Sequence, residues 1–225
     1  MMKNEELFDF VKNEVKKAMK DEVCDIISQT DKVIHVFDDD YEKEFYLHNP
    51  KSMNIPWLKK KIILTSSAKK SPFVPDVNLL ASWLINHFDK KYYLNLNHMI
   101  FIYDDEADFD ELYEKEEFAE MLDCHNFPEE HQLGIYWNEH DTVVISLKNI
   151  LQTCKEYAEC KDLSKEMNIG VLTTILHELA HMGYSNPYVP DVDDSEFYSE
   201  DEEEECVEDI ARTAYEQNPA YILVA

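Results

Sequence analysis

The chain has 225 residues, 44% of them hydrophobic and 12% aromatic, a composition that buries a core and excludes a wholly disordered chain. Asp and Glu total 48 against 21 Lys and Arg, a formal net charge of −27 that repels phosphate backbones and argues against nucleic acid as the ligand. No apolar run reaches the roughly 18 residues of a membrane span, so no membrane association is expected.

Residues 4–20 carry Leu7, Phe8, Val11, Val15 and Met19 at helical spacing. Three short strands follow, over Lys32–Phe37, Lys43–Leu47 and Lys61–Thr65, with Asp38-Asp39-Asp40 as a turn. Residues 66–75 hold two prolines, three serines and two lysines, and read as a linker or domain edge. Asp76 caps a helix expected over Val77–Tyr92. Met99–Tyr103 is a short strand, and Asp105–Asp123 one acidic helix. Leu133–Trp137 and Thr142–Leu147 form a hairpin opened by Gly134. Helices follow near Lys148–Tyr157 and Lys165–Met182, the second closed by Gly183. A polar loop leads to a last helix that starts in the acidic run Glu200–Glu205 and ends near Gln217.

Five cysteines (Cys24, Cys124, Cys154, Cys160 and Cys206) show no CxxC spacing and read as scattered thiols of a reducing compartment. The Lys- and Glu-rich N-terminus has no apolar signal segment. A cytoplasmic setting is expected, or the host cytosol for a viral or injected protein. There is no phosphate-binding glycine loop and no Gly-x-Ser-x-Gly elbow.

The chemistry sits at residues 177–181, His-Glu-Leu-Ala-His. Histidines four apart lie one helical turn apart on one face and can share one Zn²⁺. Glu178, next to the first histidine, can reach a water on the metal without ligating the metal. Zinc lowers the pKa of that water, the glutamate takes its proton, and the nucleophile attacks a polarised carbonyl. The apolar run Ile169–Leu176 before the motif supports a buried helix.

With these residues the segment resembles the zincin superfamily of metallopeptidases, closely over 175–183 and in outline over 134–217, but not over the first 70 residues. The resemblance implies an α+β fold in which a mixed sheet lies beside the active-site helix. It implies a zincin-like domain, expected over 71–225; ahead of it a smaller N-terminal α+β portion is expected over 1–70, with a substrate-recognition or regulatory role. It also implies an edge strand that aligns extended substrate, whose counterpart is taken as 142–147. The metzincin continuation is absent, because Tyr184 and Pro187 stand where its Gly and His would be. In gluzincins the third ligand is a glutamate in Glu-xxx-Asp. Residues 205–209, Glu-Cys-Val-Glu-Asp, match it, with Glu205 as ligand and Asp209 as the acid behind a histidine. Glu204, Glu208, Asp191, Asp193 and Asp194 stand as alternatives to Glu205. Tyr184, Tyr188, Tyr198, Arg212, Tyr215 and His140 are unranked donors for an oxyanion.

The expectation is a zinc endopeptidase of narrow specificity, acting on a protein or peptide, with the acidic surface favouring basic segments. The competing expectation is an acidic, non-catalytic binding protein, either stabilised by zinc or mimicking nucleic acid toward a basic partner.

Overall fold

The computed structural model describes residues 33–38 and 41–46, for which the backbone alone is considered, and residues 53–124, 128–129, 131–157, 162–184 and 200–224. The chain divides into two compact units, Met1–Asn54 and Ile55–Ala225. In the first, β1 (Val33–Asp38) and β2 (Tyr41–Tyr46) pair antiparallel, with Val33 opposite Tyr46 and Asp38 opposite Tyr41. The helix expected over 4–20 and the loop acids Asp191, Asp193 and Asp194 lie outside the described residues.

The second unit is an α+β domain built on a four-stranded mixed sheet. Its described elements in order are α1 (Ile55–Lys61), β3 (Ile62–Leu64), β4 (Val74–Pro75), α2 (Val77–His87), β5 (His98–Ile102), α3 (Asp105–Tyr113), α4 (Glu116–Cys124), β6 (Gly134–Trp137), β7 (Thr142–Ser146), α5 (Leu147–Tyr157), α6 (Leu163–Tyr184), α7 (Glu200–Gln217) and β8 (Leu223–Val224). Strand order is β3-β5-β7-β6. The first three strands run parallel, and β6 returns antiparallel along β7.

Three expectations about this domain are corrected. The domain boundary falls near residue 54, not 70, because β3 is hydrogen-bonded into the sheet beside β5. Residues 66–75 are not a linker: the Ser67 hydroxyl donates to the buried Asp108 carboxylate at 2.6 Å, and the Ser66 amide donates to Glu111 at 2.6 Å. The edge strand is β6, not 142–147. All five residues of β7 are buried, as an interior strand requires, and β7 lies between β5 and β6.

The sheet is covered on both faces. Ile100, Ile102, Val144, Ile135 and Trp137 face Leu112, Phe118, Met121 and Leu122 of α3 and α4. The expected single helix over 105–123 is broken at Glu114-Lys115. Leu112 and Phe118, six residues apart, would lie on different faces of one helix, and the break turns both into the same core. Alternate strand residues, such as Val143 and Ile145, turn to the other face, where α6 packs against β6 and β7.

Helix α6 is apolar almost all round: Val171, Leu172, Ile175, Leu176, Leu179 and Ala180 are all buried. A helix of that kind belongs inside a domain, and α6 runs between the sheet, α5 and α7. Asp162 caps its start by accepting the Lys165 amide at 3.1 Å. Gly183 does not close it, because the helix continues to Tyr184. Gly183 instead allows contact with the 90–92 turn, where an added Cβ would collide with the Tyr92 ring. That turn also shortens α2, which ends at His87 rather than Tyr92. Phe88 is extended, and Asp89 starts a separate turn by accepting the Lys91 amide at 3.0 Å.

The C-terminal segment is fastened to α6. Asn168, buried on that helix, donates to the Ala220 carbonyl and accepts the Ile222 amide, both at 2.7 Å. Beyond it β8 pairs with β4, and the end of α7 is held against α6.

Candidate metal centre

Helix α6 presents His177, Glu178 and His181 toward α7 and β6. The two imidazoles converge, with His177 Nε2 and His181 Nε2 3.1 Å apart. From α7, the Glu204 carboxylate stands 3.4 Å from His177 Nε2 and 3.3 Å from His181 Nε2. Two atoms bound about 2.0–2.1 Å from one tetrahedral zinc ion are about 3.3 Å apart. The two nitrogens are near that spacing, and the Glu204 carboxylate approaches each through a different oxygen, Oε2 toward His177 and Oε1 toward His181; taken one atom per residue, the three donors of this triangle lie within 4.8 Å of one another. Two imidazoles and one carboxylate therefore have the chemistry and the proximity to hold a single divalent ion.

Each histidine has further support. His181 Nδ1 is 2.9 Å from Glu203 Oε1, so donation to Glu203 leaves the Nε2 lone pair directed at the triangle. Burial holds the His177 pKa below its ordinary value. His181 lowers it further, and Glu204 and Glu208 partly oppose the shift. A lowered pKa keeps the imidazole neutral and able to ligate near neutral pH.

These positions correct the expectation for α7. Residues 204, 208, 211, 212 and 215 line one cleft with His177, Glu178 and His181. They recur at helical spacing, so they share a face. Glu205 is one residue, about 100°, further round, exposed and outside the cleft lining. Asp209 is likewise exposed and is paired with Arg212 rather than with a histidine. Glu204 rather than Glu205 faces the two histidines, and Glu203 rather than Asp209 contacts His181.

Glu178 lies deeper. It is only 7% exposed, and the backbone N–H of Tyr136 on β6 faces it and favours its charged form. Burial, reinforced by the Glu204 carboxylate, pushes its pKa up to about 8. A cation placed at the triangle would act in the opposite sense, favouring the carboxylate.

The helix reaches the strand this closely because residue 134 is glycine. A methyl group built on Gly134 would stand 2.8 Å from Glu178 Oε1 and 2.8 Å from Thr174 Cγ2. Thr174 turns its hydroxyl back to the Gly170 carbonyl at 2.7 Å, leaving its methyl toward the strand. The Leu133 carbonyl accepts the Ser146 amide at 2.9 Å, so residues 133, 135 and 137 hydrogen-bond inward to β7. The backbone groups of Gly134 and Tyr136 therefore point away from the sheet.

A cleft of about 1000 Å³ opens between this edge, α6 and α7. Of the six donors raised for an oxyanion, Arg212 and Tyr215 line it. His140 lies in the hairpin connection, outside the lining, and the side chains of Tyr184, Tyr188 and Tyr198 are outside the described residues. Glu208 and Glu216 add carboxylates to the cleft. Among the described residues, no helix is long and apolar enough to cross a membrane.

No family model matches this chain, and neither a curated protein nor a solved structure is significantly similar to it.

Proposed function

We propose that this protein is a zinc-dependent peptidase of gluzincin type, with His177, His181 and Glu204 as metal ligands and Glu178 as general base. The observation that carries the reading is the convergence of two imidazole nitrogens, 3.1 Å apart, with a carboxylate whose two oxygens stand 3.3 and 3.4 Å from them, beside a buried carboxylate at the head of an open cleft. The zincin-like arrangement is supported by the antiparallel edge strand β6 lying alongside the helix that carries His-Glu-Leu-Ala-His.

Zinc, when bound, polarises a carbonyl and makes water acidic enough to deliver a nucleophile near neutral pH. The chain supplies the rest. Glu178 is within the cleft, does not belong to the donor triangle, and takes a proton at its carboxylate that it can return to a leaving amine. The outward N–H and C=O of Gly134 and the outward C=O of Tyr136 can pair with an extended peptide. Tyr215 and Arg212 stand where a developing negative charge can be met by a donor. Glu208 and Glu216 favour a basic side chain in the bound segment.

The test is incubation of zinc-loaded protein with a complex peptide mixture, reading new termini by mass spectrometry. Cleavage that chelator abolishes and zinc restores is the expected result. Intact peptides together with retained zinc would refute the peptidase reading and favour a zinc-stabilised acidic binding protein.

A further inference from the structure

The base and the substrate-bearing strand meet at one glycine. We infer that Gly134 and the Tyr136 amide form the positioning device of Glu178, an inference that rests on the peptidase reading for its catalytic consequence. Strand and helix come from different parts of the chain, and the contact between them is direct. The Gly134 Cα faces the Glu178 side chain so closely that a Cβ would meet Oε1 at 2.8 Å and Cγ at 2.9 Å, and the Tyr136 N–H faces the same carboxylate and favours its charged form.

A glutamate has three side-chain torsions and, on an open surface, samples many rotamers. Here burial and the close approach of Gly134 confine it. A methyl group at 134 has little freedom to avoid it. Thr174 blocks the Cβ on one side at 2.8 Å, and residues 133 and 135 are held inward by β7. The carboxylate must move instead. A displacement of about 1 Å in a catalytic group costs on the order of a hundredfold in rate.

The same geometry sets how β6 presents itself to a peptide. Of the outward groups on residues 134 and 136, the Tyr136 N–H faces Glu178. The remaining pairing groups are the Gly134 N–H and C=O and the Tyr136 C=O. A substrate strand therefore registers on Gly134, one residue from the amide that faces the base.

The experiment compares zinc-loaded wild type, Gly134→Ala and Gly134→Ala/Thr174→Ser, with kinetics on a peptide cleaved by the wild type. Amide hydrogen exchange at Ile135 and Tyr136 is followed by ¹⁵N NMR in the same samples. The Thr174→Ser change removes the methyl contact but keeps the hydroxyl that bonds Gly170, so overlap with Glu178 alone remains. Both variants should hold one zinc, lose about a hundredfold in kcat with KM changed less than threefold, and exchange the Tyr136 amide at least tenfold faster while Ile135 stays protected. Wild-type kcat and Tyr136 protection in Gly134→Ala would overturn the inference, as would recovery of both in the double variant, which would reduce the effect to packing. Should the wild type cleave no peptide, the peptidase reading fails, and the exchange data alone decide whether Gly134 places Glu178.

Discussion

Replacing Glu204 by Gln, with Glu205→Gln as its neighbour control, separates two helix phases that differ by one residue. Glu204 is the carboxylate within 3.3–3.4 Å of both Nε2 atoms, whereas Glu205 faces solvent. Loss of a partner behind a ligand typically weakens a metal site 10–100-fold. Loss of a ligand itself should therefore exceed about 100-fold, which is more than about 2.7 kcal/mol. The Gln variant keeps size and shape, so the effect is on coordination rather than packing. Competition against a chromogenic zinc chelator at pH 7.4 measures it. Glu204→Gln should weaken zinc by at least about two decades, and Glu205→Gln by less than threefold. Glu203→Gln should fall between them, at about 10–100-fold, since Glu203 acts through His181 Nδ1. The opposite order, with Glu205→Gln losing the metal and Glu204→Gln keeping it, would refute the placement of α7.

Three further outcomes follow from the packing and the charges. In chelated protein the folded-state pKa of Glu178 is raised to about 8, so the folded chain binds its proton more tightly than the unfolded one. That contribution to stability is full below about pH 4.5 and is lost as pH rises through about 8, by several kcal/mol and at most about 5. Urea titrations between pH 5 and 9 should show this loss in wild type and its absence in Glu178→Gln; parallel curves would contradict it. Asn168→Ala removes both hydrogen bonds that hold residues 220 and 222 and strands the buried Ile222 amide, costing roughly 2–4 kcal/mol. An unchanged urea midpoint would mean the C-terminal segment is held by other contacts. Gly183→Ala drives a methyl group into the Tyr92 ring and should cost about 1–3 kcal/mol, read as a lower Tm. A rise in Tm would mean Gly183 serves no close packing.

How much of this was legible in the sequence depends on how local each feature is. The pairing of His177 with His181 needs only a helix, and the apolar run before them announces one. The choice among Glu203, Glu204, Glu205 and Glu208 depends on how α7 is rotated against α6. Four acids within six residues carry no signal of that rotation, and the Glu-xxx-Asp pattern selected the exposed phase. Strand order is likewise non-local, although one clue was present. Thr142–Ser146 is apolar without alternation, the mark of a strand buried on both faces, and that pointed to β6 as the edge. Gly183 resembled a helix stop because glycine ends helices often. Only the tertiary contact with Tyr92 gives its reason, and only the contact with Glu178 gives that of Gly134. The tie between Ser67 and Asp108, which makes 66–75 part of the domain, spans 41 residues and has no local signature.

The central claim is that side chains from α6 and α7 hold one zinc ion through two nitrogens and a carboxylate. Native mass spectrometry of purified protein, with X-ray absorption at the zinc edge, tests it most directly. One zinc per chain, with two imidazoles and light oxygen donors in its shell, is the expected result. A chain that stays metal-free after reconstitution with zinc at neutral pH would contradict it, and the converging histidines would then need another explanation.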